Sequence, residues 1–168
     1  MEHKVTRKQQ NGKMCMVCGT ENVLGLNARF YETESNDLVA IFSPKDEHQS
    51  YPGRMHGGLI TAILDETISR AVMINSATNV WGVTIEINVK FKKPAPLNEE
   101  IKVVGRIDKY SNRIFEGSAE LILENGDVAA IAQGKYLRVP FERITDYKFN
   151  ENEWRVLKDD KDPTHIDY

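Results

Sequence analysis

Several features that mark large classes of protein are missing from this 168-residue sequence. It contains no apolar run long enough to cross a membrane and no basic stripe with interleaved aromatic residues, and its formal net charge is −3. These absences argue against a membrane protein and against a nucleic-acid binder. A P-loop and a dinucleotide-binding fingerprint are also missing, so neither ATP nor NAD is implied.

The N-terminal segment lacks the apolar stretch of a secretory signal peptide, and the chain has only two cysteines. We therefore expect a cytoplasmic protein whose thiols are free. Cys15 and Cys18 have the spacing of half a zinc site or of a redox pair. A structural zinc ion usually needs four ligands, and the sequence offers no second cysteine pair and only scattered histidines. We therefore predict no metal site.

The composition that remains fits one globular domain, with 40% hydrophobic and 28% charged residues. Apolar alternation and turn signals predict six strands and one helix, with four antiparallel strands after the helix. This order predicts an α+β protein in which one sheet curls round one helix. Strict alternation predicts an apolar face on the first strand after the helix, formed by Val83, Ile85, Ile87, Val89 and Phe91. The predicted strands cover residues 27–31, 38–42, 81–91, 100–107, 114–123 and 128–139.

The predicted helix over residues 59–74 is apolar on more than one face, which is typical of a core helix. Asp65 and Glu66 interrupt it. Glu66 has Arg70 one turn further on and can form an ion pair with it. Asp65 has only hydroxyl-bearing neighbours at helical spacing, and burying an unpaired charge is costly. Asp65 is therefore the residue in this helix that most needs a functional explanation.

Two glycines, Gly57 and Gly58, stand where this helix begins, so backbone N–H groups without helical partners are open to a ligand. The positive end of the helix dipole points in the same direction. A donor for a developing oxyanion and a base or nucleophile are the two parts that acyl transfer requires. A plain structural interpretation stays open, in which the glycines form a tight turn and Asp65 pairs with a distant arginine.

The motif His56-Gly57-Gly58, with Asp65 nine residues after the histidine, resembles the hotdog-fold acyl-CoA thioesterases, and most closely their phenylacetyl-CoA thioesterase branch. The similarity extends over residues 15–140. Further matching segments are residues 15–19, 25–26, 82–89, 91–95 and 132–136.

This resemblance implies a hotdog fold, with one curved antiparallel sheet around a long central helix, and hydrolysis of an acyl-CoA thioester to a free acid and coenzyme A. In such an enzyme the Gly57 N–H would polarise the thioester carbonyl. Asp65 would act as general base or as nucleophile, and Thr84 would orient the water or Asp65. The resemblance also implies a homodimer or homotetramer with shared active sites, and no cofactor beyond the coenzyme A of the substrate.

Other polar residues are expected near the substrate. Cations would bind the phosphates of the coenzyme, although each is also an ordinary surface charge. We expect a flexible N-terminus over residues 1–14, the thioesterase domain over 15–140 and a C-terminal extension over 141–168 that frays after residue 157. The candidate substrate-binding residues are His48, Gln49, His56, Gly58, Glu66, Lys90, Lys92, Lys93, Lys135 and Arg138.

Three other functions stay open. A non-catalytic acyl-CoA sensor could use the same fold, but it would not need Asp65. A hotdog hydratase would need an aspartate and a histidine close together on one segment, and no such pair follows the start of the helix. A purely structural protein would leave the buried carboxylate unexplained.

Overall fold

The computed structural model describes residues 1–74, 80–145 and 152–168. None of the helices within these ranges is long and apolar enough to cross a membrane. Short 3₁₀ helices cover Asp46–His48 and Phe141–Arg143. The main elements are β1 (Glu2–Lys8), β2 (Asn11–Gly12), β3 (Arg29–Thr33), β4 (Leu38–Phe42), α1 (Gly57–Ala71), β5 (Val80–Phe91), β6 (Ile101–Tyr110), β7 (Ile114–Ile122), β8 (Val128–Pro140), β9 (Trp154–Arg155) and β10 (His165–Asp167).

Within the described residues, eight strands form one antiparallel sheet in the order β10-β1-β3-β4-β6-β7-β8-β5, and α1 packs across one face of it. The side chains of Ile63, Leu64 and Ile68 are completely buried between helix and sheet. The helix lies very close to the strands. A Cβ atom added at Gly105 would lie 2.9 Å from the side chain of Thr67, and one added at Gly117 would lie 2.6 Å from that of Ile68. Side chains at these strand positions would force the helix outwards.

The predicted class and element order are confirmed, since all six predicted strands and the central helix are present with shifted ends. The predicted apolar face of β5 is wrong in its first half. The register of β5 against β8 shifts between Thr84 and Glu86, so strict alternation is broken there. Ile87 and Val89 pack against the core, whereas the side chain of Ile85 is 54% exposed.

The two ends of the chain are more ordered than predicted. The N-terminal segment forms β1, which pairs with both β3 and β10. Ile166 on β10 is buried, and the Tyr168 hydroxyl donates to Asp37 at 2.9 Å, so the last residues are not frayed. Strands β1 and β10 pair with each other although they lie at opposite ends of the sequence. A local sequence pattern does not reveal such a pairing. The predicted domain limits at residues 15 and 140 stay predictions.

Candidate functional site

The carboxylate of Asp65 faces two strands at the middle of α1 and is half-buried. Thr84 on β5 donates from Oγ1 to both carboxylate oxygens, at 2.9 and 3.0 Å. Tyr136 on β8 donates from its hydroxyl to Oδ1 at 3.0 Å. Hydroxyl groups from two neighbouring strands therefore fix the orientation of one carboxylate.

The hydroxyl residues on the helix itself do not contact Asp65. Thr61 Oγ1 donates to the carbonyl of Gly57 at 2.9 Å, and Ser69 Oγ donates to the carbonyl of Glu66 at 3.0 Å. Among the residues that the structure describes, no cationic side chain forms an ion pair with Asp65. The alternative in which Asp65 pairs with a distant arginine therefore finds no support.

Burial raises the pKa of Asp65 above its ordinary value, because the charged form loses hydration. The hydrogen bonds from Thr84 and Tyr136 oppose this rise, and the negative charge of Glu66 adds to it. The net effect is a raised pKa, which makes the carboxylate a better proton acceptor near neutral pH than an exposed aspartate. Burial and the charge of Asp65 also raise the pKa of Tyr136, so its hydroxyl keeps its proton and stays a donor.

Tyr136 is the site residue that local sequence patterns do not reveal. It is completely buried, and its ring stacks on Phe115 with centroids 5.0 Å apart and an interplanar angle of 12°. This packing holds the hydroxyl in place. The available signal is general: a tyrosine on the buried face of a strand needs a hydrogen-bond partner, and an unpaired buried aspartate is a suitable one.

Glu66 faces a different environment from that of Asp65. Its Oε1 accepts from Arg70 Nε at 2.8 Å, which confirms the predicted ion pair. Its Oε2 lies 3.4 Å from the sulfur of Cys15. The structure therefore places Glu66 beside the cysteine pair, away from the two strand hydroxyls that hold Asp65.

The helix begins beside a pocket of about 360 Å³, which Gly57 lines together with Met55, Ile60 and Phe91. His56 caps the helix, because its Nδ1 accepts from the N–H of Gly58 at 2.9 Å. This contact fixes the turn before the helix, and the predicted role of His56 in substrate binding stays a prediction. The N–H of Gly57 donates to no other protein group within the described ranges. The pocket therefore offers an open backbone donor beside an apolar surface.

His48 and Gln49 have structural contacts in the loop before the helix. Buried His48 accepts from the N–H of Lys45 at Nδ1, 2.8 Å away, and its Nε2 lies 3.0 Å from the carbonyl of Leu24. These two partners fix a neutral ring with the proton on Nε2. The side-chain oxygen of Gln49 accepts from the N–H of Gly53. Neither residue lines the pocket at the helix start.

The cationic residues predicted to bind the coenzyme phosphates lie in different parts of the structure. Lys92 and Lys93 line the Gly57 pocket, and Arg54 joins them there, although the sequence did not single it out. Lys90 lies on β5 opposite Ile131. Two further candidates are elsewhere: Lys135 lines a polar groove with Glu86 and Glu116, and Arg138 stacks on Tyr110 and donates to the carbonyls of Ser111 and Asn112.

Gly57 and Asp65 are too far apart to act on one group within a single chain. They are eight residues apart on α1, which corresponds to ~12 Å along the helix axis. A reacting carbonyl must lie within hydrogen-bond distance of both its oxyanion donor and the group that activates the nucleophile. The open donor at Gly57 and the held carboxylate of Asp65 are therefore two separate features of each copy of the chain.

Comparisons with known proteins indicate similarity to thioesterases. Residues 52–130 match the model of the thioesterase superfamily. An uncharacterised Schizosaccharomyces pombe protein is 31% identical over 97 residues, which are 58% of this chain and 55% of that protein. Human acyl-coenzyme A thioesterase 13 is 29% identical over 118 residues, which are 70% of this chain and 82% of that enzyme. The chain thus spans about half the length of the S. pombe relative.

Among solved structures, the PaaI protein of the E. coli phenylacetic acid degradation operon superposes with a TM-score of 0.61 at 13% identity, covering 68% of this chain and 80% of that one. At this identity the match establishes the fold. It confirms the predicted hotdog architecture of a curved antiparallel sheet around a central helix.

The contact between Tyr136 and Asp65 leads to a prediction. Tyr136→Phe should raise the pKa of Asp65 further, because it removes a donor that stabilises the charged carboxylate. Without this hydrogen bond, the carboxyl group should titrate at a higher pH than in the parent protein. Carbon-13 NMR titration of the aspartate carboxyl groups measures this rise. Tyr110→Phe is the matched control and should leave the titration unchanged; an unchanged titration in Tyr136→Phe as well would contradict the assignment.

Proposed function

We propose that this chain, whose residues 52–130 match the model of the thioesterase superfamily, hydrolyses an acyl-CoA thioester to a free acid and coenzyme A. The main support is the setting of Asp65, a half-buried carboxylate with a raised pKa that two strand hydroxyls hold in a core helix. A related human protein of similar sequence carries the name acyl-coenzyme A thioesterase 13.

In the proposed reaction, Asp65 takes a proton from a water molecule as that water attacks the thioester carbonyl. Thr84 and Tyr136 hold the carboxylate in one orientation while its charge changes. The carbonyl oxygen becomes negative and accepts from the N–H of Gly57, at the positive end of the helix dipole. The carbon–sulfur bond then breaks, and coenzyme A leaves as a thiol with the proton that Asp65 took from the water. In the second route, Asp65 attacks the carbonyl itself and water hydrolyses the resulting anhydride.

A complete active site would combine Gly57 of one copy with Asp65 and its two hydroxyl partners of another. The separation of ~12 Å along α1 is the first reason. The second is the edge strand β5, which carries Thr84 and exposes the apolar side chains of Val83, Ile85 and Phe91 by 38%, 54% and 54%. Such an edge is normally covered or paired. A homodimer or a homotetramer would satisfy both requirements.

The pocket at Gly57 suits the substrate in size and charge. Its volume of about 360 Å³ lies in the range of small-molecule sites. Arg54 and Lys92 stand at this pocket, and their side chains form no ion pair in the part of the chain that the structure describes. Lys93 pairs with Asp127 at 2.7 Å on the exposed rim. These three cations are the proposed partners of the coenzyme phosphates.

The proposed chemistry needs no cofactor, because water, a base and an oxyanion donor are sufficient for it. We place the protein in the cytoplasm as part of the same proposal. The two free thiols of Cys15 and Cys18 support this location, since a reducing compartment maintains thiols in that state.

The test of the function is the replacement of Asp65. Asp65→Asn keeps the shape of the side chain and removes its charge and its basicity, so turnover of acyl-CoA should fall by about 10² or more. Its stability should equal or exceed that of the parent, because a half-buried charge without a cationic partner is costly. Steady-state hydrolysis of a panel of short, long and aromatic acyl-CoAs, with free thiol release as the signal, measures the loss.

Glu66→Gln is the matched control. It should lower the melting temperature, because buried Arg70 loses its anionic partner, but the folded protein should lose far less turnover. Near-parental turnover in Asp65→Asn, or a complete loss in Glu66→Gln alone, would show that Asp65 is not catalytic. Acyl-CoA binding without turnover in the parent protein would favour the sensor function.

The helix start provides a steric prediction. A side chain at Gly57 would occupy the space through which the thioester oxygen approaches the N–H, so Gly57→Val should reduce turnover by about 10²–10³. The fold should remain, because an added Cβ would lie 3.6 Å from the ring of Phe91, at an ordinary contact distance. Thermal melts together with hydrolysis rates check both parts, and a fully active Gly57→Val protein would remove the oxyanion assignment.

Shared sites can be tested by mixing two inactive variants. After subunit exchange, an equal mixture of Asp65→Asn and Gly57→Val should regain about a quarter of the parental activity, because half of the dimers are mixed and each has one intact site. If each site used a single chain, the mixture would stay inactive. Light scattering at micromolar concentration should show a dimer or tetramer, and a monomer would contradict this part of the proposal.

A further inference from the structure

Cys15 and Cys18 lie in a cluster that the proposed hydrolysis does not use. Their sulfur atoms and a carboxylate oxygen of Glu66 all lie within 4.8 Å of one another. Cys15 is partly exposed and lies between the exposed side chains of Met14 and Met16, whereas Cys18 is completely buried. One thiol is therefore reachable from solvent, and the other lies directly behind it.

Hydrogen bonds give the two sulfur atoms different roles. The Cys15 sulfur accepts from the N–H of Cys18 at 3.2 Å. The Cys18 sulfur accepts from the N–H of Gly12 at 3.3 Å and from Arg70 Nη2 at 3.0 Å. Hydrogen bonding with Cys18 lowers the pKa of Cys15, although burial and the charge of Glu66 oppose this. The same bond, together with burial, raises the pKa of Cys18.

A guanidinium group already fills the cationic position in this cluster. Arg70 is 2% exposed and contacts Glu66 and Cys18 at the same time. Its guanidinium lies 4.4 Å from the ring centroid of Phe30 and 5.1 Å from that of Trp154, which fix it from both sides. A divalent cation beside these groups would be repelled by a charge that cannot move away. The cluster is therefore better suited to thiol chemistry than to metal binding.

We propose that Cys15 and Cys18 form a thiol–disulfide exchange site that reacts with small-molecule disulfides, with Cys15 as the attacking thiol and Cys18 as the resolving thiol. The juxtaposition of a reachable sulfur, a buried sulfur and a fixed guanidinium carries this inference. It goes beyond the proposed hydrolysis and does not depend on it.

The exchange takes place in two steps. The Cys15 thiolate attacks one sulfur of a disulfide RSSR, the S–S bond breaks, and RS⁻ leaves with the electron pair and takes up a proton. Cys18 then loses its proton, and its sulfur attacks that of Cys15, which forms the Cys15–Cys18 disulfide and releases a second RSH. Overall the protein dithiol is oxidised, and one small disulfide is reduced to two thiols.

Arg70 assists the second step as a positioning residue. While Cys15 is a thiolate, its negative charge raises the pKa of Cys18, so the Cys18 thiol keeps its proton. Once Cys15 is part of a mixed disulfide, this negative charge is lost. The negative charge that then develops on the Cys18 sulfur faces the guanidinium at 3.0 Å, and a cation at this distance favours the thiolate.

Oxidised glutathione is the probe for the test, with intact-mass spectrometry after an acid quench. The full-length reduced protein should lose two hydrogen atoms and carry no glutathione. Cys18→Ser should retain one glutathione on Cys15, removable by a reducing agent, because no resolving thiol remains. Cys15→Ser should carry none while it is folded, because Cys18 is buried. A stable glutathione adduct on the parent protein, or equal reaction of both single variants, would overturn the proposal.

The parent protein provides a second measurement that does not depend on how the variants fold. Limiting iodoacetamide and peptide mapping should show Cys15 alkylated well before Cys18, because Cys15 is reachable from solvent and Cys18 is completely buried. The charged side chains that contact the two sulfur atoms are those of Glu66 and Arg70. Glu66→Gln should move the pH profile of Cys15 alkylation to lower pH, because it removes a negative charge 3.4 Å away. Equal alkylation of both cysteines, or an unchanged profile in Glu66→Gln, would contradict the assigned roles.

Discussion

The close packing of α1 on the curved sheet is the constraint on which both candidate sites depend. The helix lies so near the strands that positions such as Gly105 and Gly117 have no room for a Cβ atom. At this distance, hydroxyl groups on β5 and β8 reach the Asp65 carboxylate directly. If the helix were displaced by the width of one methyl group, the donor–acceptor distances would exceed those of a hydrogen bond. The apolar packing therefore determines the chemistry available to the carboxylate.

Two neighbouring carboxylates on this helix have opposite environments because successive helical residues point about 100° apart. Asp65 turns towards neutral hydroxyl donors, so burial dominates and its pKa rises. Glu66 turns towards Arg70, whose full positive charge balances it. A raised pKa makes the Asp65 carboxylate a stronger base than an exposed aspartate, whereas the Glu66 carboxylate is engaged in an ion pair with a buried guanidinium. The same chemical group thus supports base chemistry in one direction and organises the thiol cluster in the other.

The secondary-structure elements and contacts that depend on local periodicity could be predicted from the sequence. The central helix, the six strands around it and the Glu66–Arg70 pair follow from spacings of two and of four residues. Tyr136 is 71 residues from Asp65, and only the packing of β8 under the helix brings its hydroxyl to the carboxylate. The irregular register after Thr84 also depends on tertiary structure, because a strand at the edge of the sheet can shift without breaking a second ladder.

The strands at the two ends of the chain also depend on contacts between residues that are distant in sequence. The polar strand β1 has no local apolar pattern and is stabilised by pairing with β3 and β10. The short strand β9 pairs with β2, which places Trp154 over Arg70 and beside the loop of the two cysteines. Gly57, Asp65 and Thr84 lie within the matched residues 52–130, whereas Tyr136, Cys15, Cys18 and Trp154 lie outside them. The segments outside that region therefore build the thiol cluster, and α1 is the element that joins it to the candidate hydrolytic site.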